Sequence, residues 1–411
     1  MRYGRLLGWV VLALMGCSNA WAQDVNLSLW NGADTQRKDS TRYSWLNVGL
    51  CSKMYEVNGL SANVFAGVVN RNIRGVQVSG LANVVGDRML GCQVAGICNV
   101  NRRYMAGVSA SGLVTVNSNL TDGMALSGAL LVSGGRMRGV AVGGLMNVMG
   151  RNSYGAMVAG MANVLMGASA GVGVSGLATV VGQDAEGFWL AGLGNIAGKS
   201  QKGLVASGLL SACGNDMWGV QMSGGANYVE GTVHGAQMSI LNVANRLKGV
   251  QLGLVNYKKE ESGFQLGLAN LSPSTVYQCM IFGGNNAKAN VAVRFRGDLF
   301  YTMLGVGSNY LEVDRKYSAS VFYRAGMWKR VWKGLSVTGD VGYQHVETFR
   351  NRFEEGIPTR LYALQLRVGL EYEISRHFGI FAAGGYGWDR YYNCSGNFGY
   401  KAIGELGIIL Q

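Results

Sequence analysis

Apolar residues recur at fixed positions of a 16-residue repeat that fills more than half of the chain. Twelve glycines from Gly59 to Gly235 are spaced 16 residues apart, and ten more follow five residues behind, from Gly80 to Gly224. When slots 0 to 15 are counted from Gly75, slots 1 and 3 are mostly aliphatic and slot 9 is nearly always valine. This alternation predicts short β-strands, and the fixed period predicts one small unit stacked on itself.

Slot 6 is also apolar, although its parity is opposite to that of slots 1, 3 and 9. A straight strand would place slot 6 on the other face, because successive side chains alternate. A corner near the slot 5 glycine, such as Gly80, would return slot 6 to the same side.

Charged residues occupy one part of the repeat. Across the twelve units, slots 0 to 10 contain no Asp, Glu, Lys or Arg, so every repeat charge lies in slots 11 to 15. We expect slots 11 to 15 to form one solvent-exposed edge, with the remaining slots buried, paired with neighbouring units or facing lipid. Six edge arginines are candidates for holding anionic glycans or lipid phosphates, and the alternative is that they only keep the edge soluble: Arg88, Arg102, Arg103, Arg136, Arg138 and Arg151.

Amide side chains also recur at fixed slots, with glutamine at slot 2 and asparagine at slot 8. In a parallel stack, equal slots lie about 4.8 Å apart, so these amides are expected to form hydrogen-bonded ladders. Binding of a ligand by exposed amides is the alternative. The asparagines of the predicted structural ladder are Asn83, Asn99, Asn147, Asn163, Asn195 and Asn227.

Two all-β architectures fit the repeat. In a β-solenoid, each repeat is one glycine-cornered coil that buries its apolar face against its neighbours and its own return strand. In an antiparallel meander or large barrel, each repeat is one strand and one turn. Equally short turns, scarce aromatic residues and the parity of slot 6 favour the solenoid.

The last third of the chain has a different pattern. Residues 272–411 hold 24 of the 40 aromatic residues, and strict alternation runs from Tyr362 to Tyr372. Short turns alternate with longer polar stretches, which is typical of an outer-membrane barrel, and a soluble antiparallel domain is the alternative. The period shortens to 14 residues after Gly235, and Pro273 follows the last unit.

The N-terminus resembles a secretion signal, with Arg2 and Arg5 before an apolar stretch and Ala20-Trp21-Ala22 as the cleavage site. Lipidation of Cys17 is the competing possibility, because residues 14–17 resemble a lipobox. The predicted organisation is a signal peptide at 1–22, an N-terminal β cap at 23–58, the repeat array at 59–272 and an antiparallel, barrel-like domain at 273–411.

Catalytic chemistry has little support in the sequence. The three histidines lack metal-ligand spacing, and carboxylates are missing from slots 0 to 10. We therefore expect no enzyme activity, no catalytic, cofactor-binding or metal-binding residue, and no cofactor. The net charge of +13 is spread out, which argues against nucleic-acid binding. Cys92 and Cys98 occupy apolar slots and are expected to be small buried hydrophobes.

Residues 75–84, 249–256 and 263–270 resemble the Gly-Val-Gln-x-Gly-Leu-x-Asn units of bacterial surface-repeat envelope proteins. The resemblance covers about residues 59–270 and implies an exported protein at the outer membrane or cell surface of a Gram-negative bacterium. Its expected role is structural or adhesive display, with the outer membrane and anionic glycans or lipid headgroups as partners. The alternatives are an outer-membrane pore and, more distantly, a polysaccharide-active β-helix enzyme.

Overall fold

The computed structural model describes residues 25–30, 33–34, 43–260, 263–309, 311–312, 316–351, 360–392 and 399–411. The signal peptide predicted at 1–22, including Cys17, lies outside the described residues. The chain is all-β, as predicted, with a parallel β-solenoid of about 14 turns and a separate closed antiparallel barrel of eight strands. It divides into two compact units, Met1–Asn215 and Asp216–Gln411.

The first unit contains strands β1 to β22. In chain order they are Val25–Trp30, Ala33–Asp34, Tyr43–Met54, Glu56–Val69, Asn72–Ser79, Ala82–Val85, Arg88–Ala95, Cys98–Asn101, Tyr104–Ser111, Val114–Asn117, Leu120–Ser127, Leu130–Ser133, Met137–Gly143, Met146–Met149, Ser153–Ala159, Ala162–Leu165, Ser169–Ser175, Ala178–Val181, Ala185–Ala191, Gly194–Ala197, Gln201–Ser207 and Leu210–Cys213.

Each 16-residue coil of this unit has one long strand and one short strand. Long strands pair with long strands and short with short, as in β9 with β7 and β11, and β10 with β8 and β12. The pairs are parallel and join equal slots, for example Gly107 with Gly123. This excludes the antiparallel meander, in which successive repeats would run in opposite directions. Within the predicted N-terminal cap, β1 and β3 belong to the same parallel arrangement.

The two glycine rows have different structural roles. The chain bends at slots 5 and 6, as at Gly80 and Leu81, so the second row marks the corner. The slot 0 glycines lie inside long strands and have φ between 107° and 158°. At Gly123, a Cβ atom would come within 2.2 Å of the carbonyl oxygen of Gly107 in the preceding coil. The first row therefore permits the close approach of successive coils and does not mark a turn.

The apolar slots 1, 3 and 9 point away from the interior, which corrects the expectation that they are buried. Even slots of both strands point inwards, because successive strand residues alternate between faces. In one coil, Gln77, Ser79, Asn83, Val85 and Met89 are all buried. Slot 6 has even parity but sits at the bend, where its side chain is exposed.

The interior nevertheless has an apolar part, supplied mainly by slots 2, 10 and 14. Two clusters of buried residues, around Met89 and around Met149, run along the stack. The half-buried Cys92 and Cys98 occupy outward slots, so the prediction that they are buried hydrophobes is wrong. Among the described cysteines, Cys51, Cys92, Cys98 and Cys279 have free thiols, and Cys213 donates a hydrogen bond to the carbonyl of Lys199 at 3.0 Å.

The second unit begins with the last solenoid strands, β23 to β29, which are Met217–Ser223, Ala226–Met238, Leu241–Leu247, Val250–Leu252, Val255–Glu260, Phe264–Leu266 and Ala269–Leu271. Parallel pairing continues through the 14-residue coils, where Asn242 pairs with Asn256 and Asn256 with Asn270.

The barrel follows Pro273 and contains strands β30 to β38, which are Val276–Gly284, Ala289–Arg296, Phe300–Ser308, Leu311–Glu312, Lys316–Trp332, Leu335–Asn351, Arg360–Glu373, Phe378–Tyr391 and Gly399–Leu410. Adjacent strands of the barrel are antiparallel. The pairings of β30 with β38 and of β32 with β34 close the sheet, and the two-residue β33 pairs only with β34 among the described strands. Closure removes the exposed edges that an open sheet would have.

Candidate functional site

Aliphatic side chains cover the outer faces of the coils in the first unit. The large residues of slot 6 form the most regular row, the apolar ridge. Their side chains are between 41% and 59% exposed. Val76 and Val78, at slots 1 and 3, are similarly exposed on the adjoining sheet face. The large residues of the apolar ridge are Phe65, Leu81, Ile97, Leu113, Leu145, Met161, Leu177, Leu193 and Leu209.

The six predicted arginines lie on the loop edge of the coils, away from the bend. All six, namely Arg88, Arg102, Arg103, Arg136, Arg138 and Arg151, are exposed. Arg103 lies 3.7 Å from the carboxylate of Asp87, and it is the one member of this set with an ion pair among the described residues. The structure places these arginines on one edge of four coils, 75–90, 91–106, 123–138 and 139–154, with the coil 107–122 between them carrying none.

Tyr104 on the same edge donates a hydrogen bond to the carboxylate of Asp122 at 3.1 Å. This bond raises the pKa of the Tyr104 phenol, and slight burial adds to the effect.

The six predicted ladder asparagines are buried in the solenoid interior. Each donates a hydrogen bond from Nδ2 to the backbone carbonyl 11 residues further on, with lengths of 2.6 to 3.0 Å. Asn83 also donates to Asn99, and Asn147 donates to Asn163. Burial places these amides out of reach of an external ligand, and their bonds to slot 3 carbonyls connect each short strand to the next long strand.

The barrel has an apolar exterior. On β36, Leu364, Leu366, Val368 and Leu370 are between 42% and 62% exposed, while the intervening Gln365, Arg367 and Glu371 are buried. A water-soluble barrel has the opposite arrangement, with apolar residues in its core and polar residues outside. This inverted pattern is typical of a barrel whose outer wall contacts lipid.

Charged side chains pair inside the barrel. Arg294 contacts Glu371 through both carboxylate oxygens, and Arg324 makes two bonds of 2.8 Å to Glu405. Arg367 donates two bonds to Asp340, and all six of these side chains are at least nine-tenths buried. Because each charge has an opposite charge at hydrogen-bond distance, the lumen can hold them.

Exposed aromatic residues lie towards both ends of the barrel strands. Tyr317, Phe349 and Tyr400 lie towards one end, while Tyr277, Trp332 and Tyr372 lie towards the other. From Tyr362 to Tyr372 the strand advances about 33 Å at roughly 3.3 Å per residue. At a tilt of about 40° this is a height of roughly 25 Å, the usual height of a lipid-facing band.

A small cavity of about 110 Å³ lies between the last coil and the barrel within the second unit. Lys258 lines it and donates a hydrogen bond to the carbonyl of Gly263 at 2.9 Å. Burial lowers the pKa of Lys258, and the carboxylate of Asp298 partly offsets this effect. Asn270 and Thr302 are hydrogen-bonded at 2.7 Å beside the cavity, so the final coil is fastened to the barrel.

No family model, curated protein or solved structure matches this chain. Among the described residues there is no helix of the length and apolar character needed to cross a bilayer. Within the same residues, no group of three or more His, Cys, Asp or Glu side chains is arranged to hold a metal ion.

Sequence reasoning did not single out the lumen charges as a site. Their signal was nevertheless present, since Arg367 and Glu371 fall on the polar face of the alternating segment 362–372. Their partners could not be named from it, because Arg294 and Glu371 are 77 positions apart and meet only after the barrel closes.

Proposed function

We propose that this protein is a non-enzymatic structural component of the Gram-negative cell envelope, with residues 276–410 anchored as a barrel in the outer membrane. The observation that carries this proposal is the inverted pattern of the barrel wall. Exposed aliphatic residues such as Val368 alternate with buried charged residues such as Arg367. The resemblance of the repeats to surface-repeat proteins supports the envelope location, and the secretion signal predicted at residues 1–22 supports export.

An anchor accounts for the barrel interior better than an open pore does. A conducting lumen needs a continuous aqueous path, whereas Arg294, Arg324 and Arg367 are directed at carboxylates of other strands inside this barrel. Arg294 and Arg324 reach strands that are not their neighbours, whereas Arg367 pairs with Asp340 of the adjacent strand, and all three contacts occupy the lumen. They therefore support a role in membrane attachment and not in transport.

Adhesion to an anionic glycan or lipid headgroup remains a second candidate role, and the exposed arginine edge favours it. Guanidinium groups on neighbouring coils, as at Arg88 and Arg102 and again at Arg138 and Arg151, would meet neighbouring charges of an anionic polymer. This role predicts binding that weakens as salt is added and when Arg102, Arg103, Arg136 and Arg138 are replaced by glutamine. Salt-independent binding, or none, would remove it.

The membrane anchor is tested by refolding the full chain into phospholipid vesicles. Replacing Leu366 by Arg places a charge on the apolar wall, which costs roughly 2–4 kcal/mol near the bilayer midplane. We expect a corresponding loss of inserted protein in a urea titration followed by protease protection. The matched control is Ser375→Arg, which adds the same side chain at an exposed turn between β36 and β37.

Equal insertion of the Leu366→Arg and Ser375→Arg variants would contradict the anchor. So would a full chain that stays monomeric in buffer without lipid or detergent, because the exposed aliphatic wall would then have no need of a membrane.

A further inference from the structure

The outer surface of the solenoid presents a second, independent apolar feature. The apolar ridge runs along the bend of the coils in the first unit, and aliphatic residues of slots 1, 3 and 9 flank it on both sheet faces. No charged residue interrupts slots 0 to 10 in any of the twelve repeats. Monomeric soluble proteins rarely expose a continuous apolar patch of more than a few hundred Å², so this surface requires a partner.

Charge is segregated to the opposite edge of the same coils. Between residues 59 and 166, basic residues outnumber acidic residues by eight to two, and all of them occupy slots 11 to 15. Coils with arginine in these slots, such as 91–106 and 123–138, therefore change from basic at their loops to purely apolar at their bend. An anionic headgroup layer above a hydrocarbon layer has the complementary order.

The dimensions of the coil agree with one leaflet of a bilayer. The short strands have four residues, as in Ala82–Val85. Such a strand is about 13 Å long at roughly 3.3 Å per residue. Half of a hydrocarbon core about 30 Å thick is about 15 Å, so a coil inserted by its bend would place its loops at the headgroups.

The backbone of the coils also suits such an environment. Strand β10 pairs on one side with β8 and on the other with β12, and the corner amide of Leu81 donates to the carbonyl of Phe65 at 2.9 Å. Inner coils thus pair their backbone groups with neighbouring coils. Unpaired groups, which are the main cost of putting backbone into lipid, are largely avoided.

We propose that the solenoid of the first unit inserts its apolar ridge into one leaflet of the membrane, with the arginine edge at anionic lipid headgroups. This inference rests on the proposed membrane location of the protein. It assigns the solenoid to the bilayer, whereas display alone would leave it in water. The occupant of the apolar ridge is lipid acyl chain, not a second copy of the chain.

The test uses the full chain refolded in vesicles that contain phosphatidylglycerol. A photoreactive benzophenone side chain is introduced singly at Leu113, Leu145 or Leu177 on the apolar ridge. The same group is placed at Ser118 in the exposed loop edge and at Leu366 on the barrel wall. After irradiation, mass spectrometry identifies adducts with acyl chains or with a second chain.

We expect acyl-chain adducts at the three ridge positions and at Leu366, with none at Ser118. Replacing Leu113, Leu145 and Leu177 by Glu should abolish the adduct of a probe at Met161 and leave that of Leu366 unchanged. These side chains are exposed, so the charges do not enter the solenoid interior. Circular dichroism checks that the variant retains its β structure.

The outcomes separate this inference from the proposed function. Adducts at Leu366 without adducts at the ridge would overturn the inference and leave the membrane anchor standing. Dimer crosslinks at the ridge would overturn it in favour of self-association. Absence of acyl adducts at every position, including Leu366, would overturn the anchor and the inference together.

Discussion

Residues at two slots stabilise the coil in different ways. Glycine at slot 0 leaves room for the carbonyl group of the preceding coil and adopts a positive φ, as at Gly123. Asparagine at slot 8 supplies a buried donor to a backbone carbonyl of the following coil, as Asn147 does to Val158. The first effect is steric and the second is the satisfaction of a buried polar group.

Gly123→Ala tests the steric effect. A Cβ atom there would lie 2.2 Å from the carbonyl oxygen of Gly107, at a φ of +127°. We expect a loss of about 2 kcal/mol or more in the free energy of unfolding, measured by urea titration. The control is Gly194→Ala, whose nearest contact is at 3.3 Å and whose slot holds alanine at Ala162 and Ala178. Equal effects of the two changes would contradict this account.

Lys258 provides a pH-dependent prediction. Because burial lowers its pKa below the ordinary value of 10.5, the unfolded chain keeps this proton at pH values where the folded chain has released it. Stability therefore rises with pH through that window, and below it the folded state bears the cost of a buried charge. Lys258→Met should raise the melting temperature at neutral pH, and its advantage should shrink towards pH 10.5.

Circular dichroism at several pH values measures this effect, with the exposed neighbour Lys259→Met as control. An advantage of Lys258→Met that stays constant with pH, or one shared by Lys259→Met, would show that titration of Lys258 is not the cause.

At the scale of elements, the coil is the unit of the solenoid and the strand pair is the unit of the barrel. Each inner coil contacts the coils before and after it, as β15 pairs with β13 and β17. In the barrel, ion pairs add contacts across the lumen between strands that are not neighbours, such as β31 and β36. The two parts therefore respond differently to sequence changes.

Deletion of residues 139–154 removes one whole coil. The two coils that then meet have the same slot order, so glycine, asparagine and strand positions stay aligned. We expect a shortened protein that retains its β-sheet circular dichroism and resistance to protease. Deletion of residues 137–143 removes the long strand β13 and leaves its short partner β14, and this half-coil variant should become protease-sensitive. Similar resistance of both variants would argue against stacking by coils.

Arg294→Met leaves the carboxylate of Glu371 inside the barrel without its closest partner. Breaking a buried pair in this way typically costs about 3–5 kcal/mol. We expect reduced folding of this variant in vesicles, scored by protease resistance. The double change Arg294→Met with Glu371→Met should recover most of the loss. A double variant as defective as the single variant would contradict a dominant role of this pair.

On the scale of the whole molecule, the solenoid and the barrel share one arrangement of polar and apolar side chains. The barrel has paired charges and an apolar cluster around Phe322 inside, the solenoid has amides and two apolar clusters inside, and both have aliphatic residues outside. Both satisfy polar groups internally through repeated or paired hydrogen bonds. This leaves apolar outer surfaces, which suits a protein placed against lipid.

The whole-molecule prediction concerns conductance. In planar bilayers, the full chain should fold into a form whose gel mobility changes on heating but which carries no steady ionic current, because side chains occupy the lumen. A heat-denatured sample run beside the folded sample is the control. A sustained single-channel current from the folded protein would overturn the anchor and support the pore.

The sequence alone predicted much of the fold. The 16-residue glycine period predicted stacked strands, and alternation at 362–372 predicted an antiparallel domain, because periodicity reports which neighbours share a face. The ordering of charges into slots 11 to 15 placed Arg102 and Arg136 on one edge. These are local properties of a repeated segment, so they can be read without knowing what lies opposite.

Tertiary structure decided which face is the inside. Slots 1, 3 and 9 are aliphatic, so sequence reasoning placed them in the interior, and the amides of slots 2 and 8 were expected to form ladders. Once coils stack, the side-chain amide of Asn83 donates hydrogen bonds to Asn99 and to the carbonyl of Val94. These bonds offset the free energy lost when the amide leaves water. The partners of Arg294 and Arg324 were likewise decided by closure of the barrel, because only closure brings distant strands across one lumen.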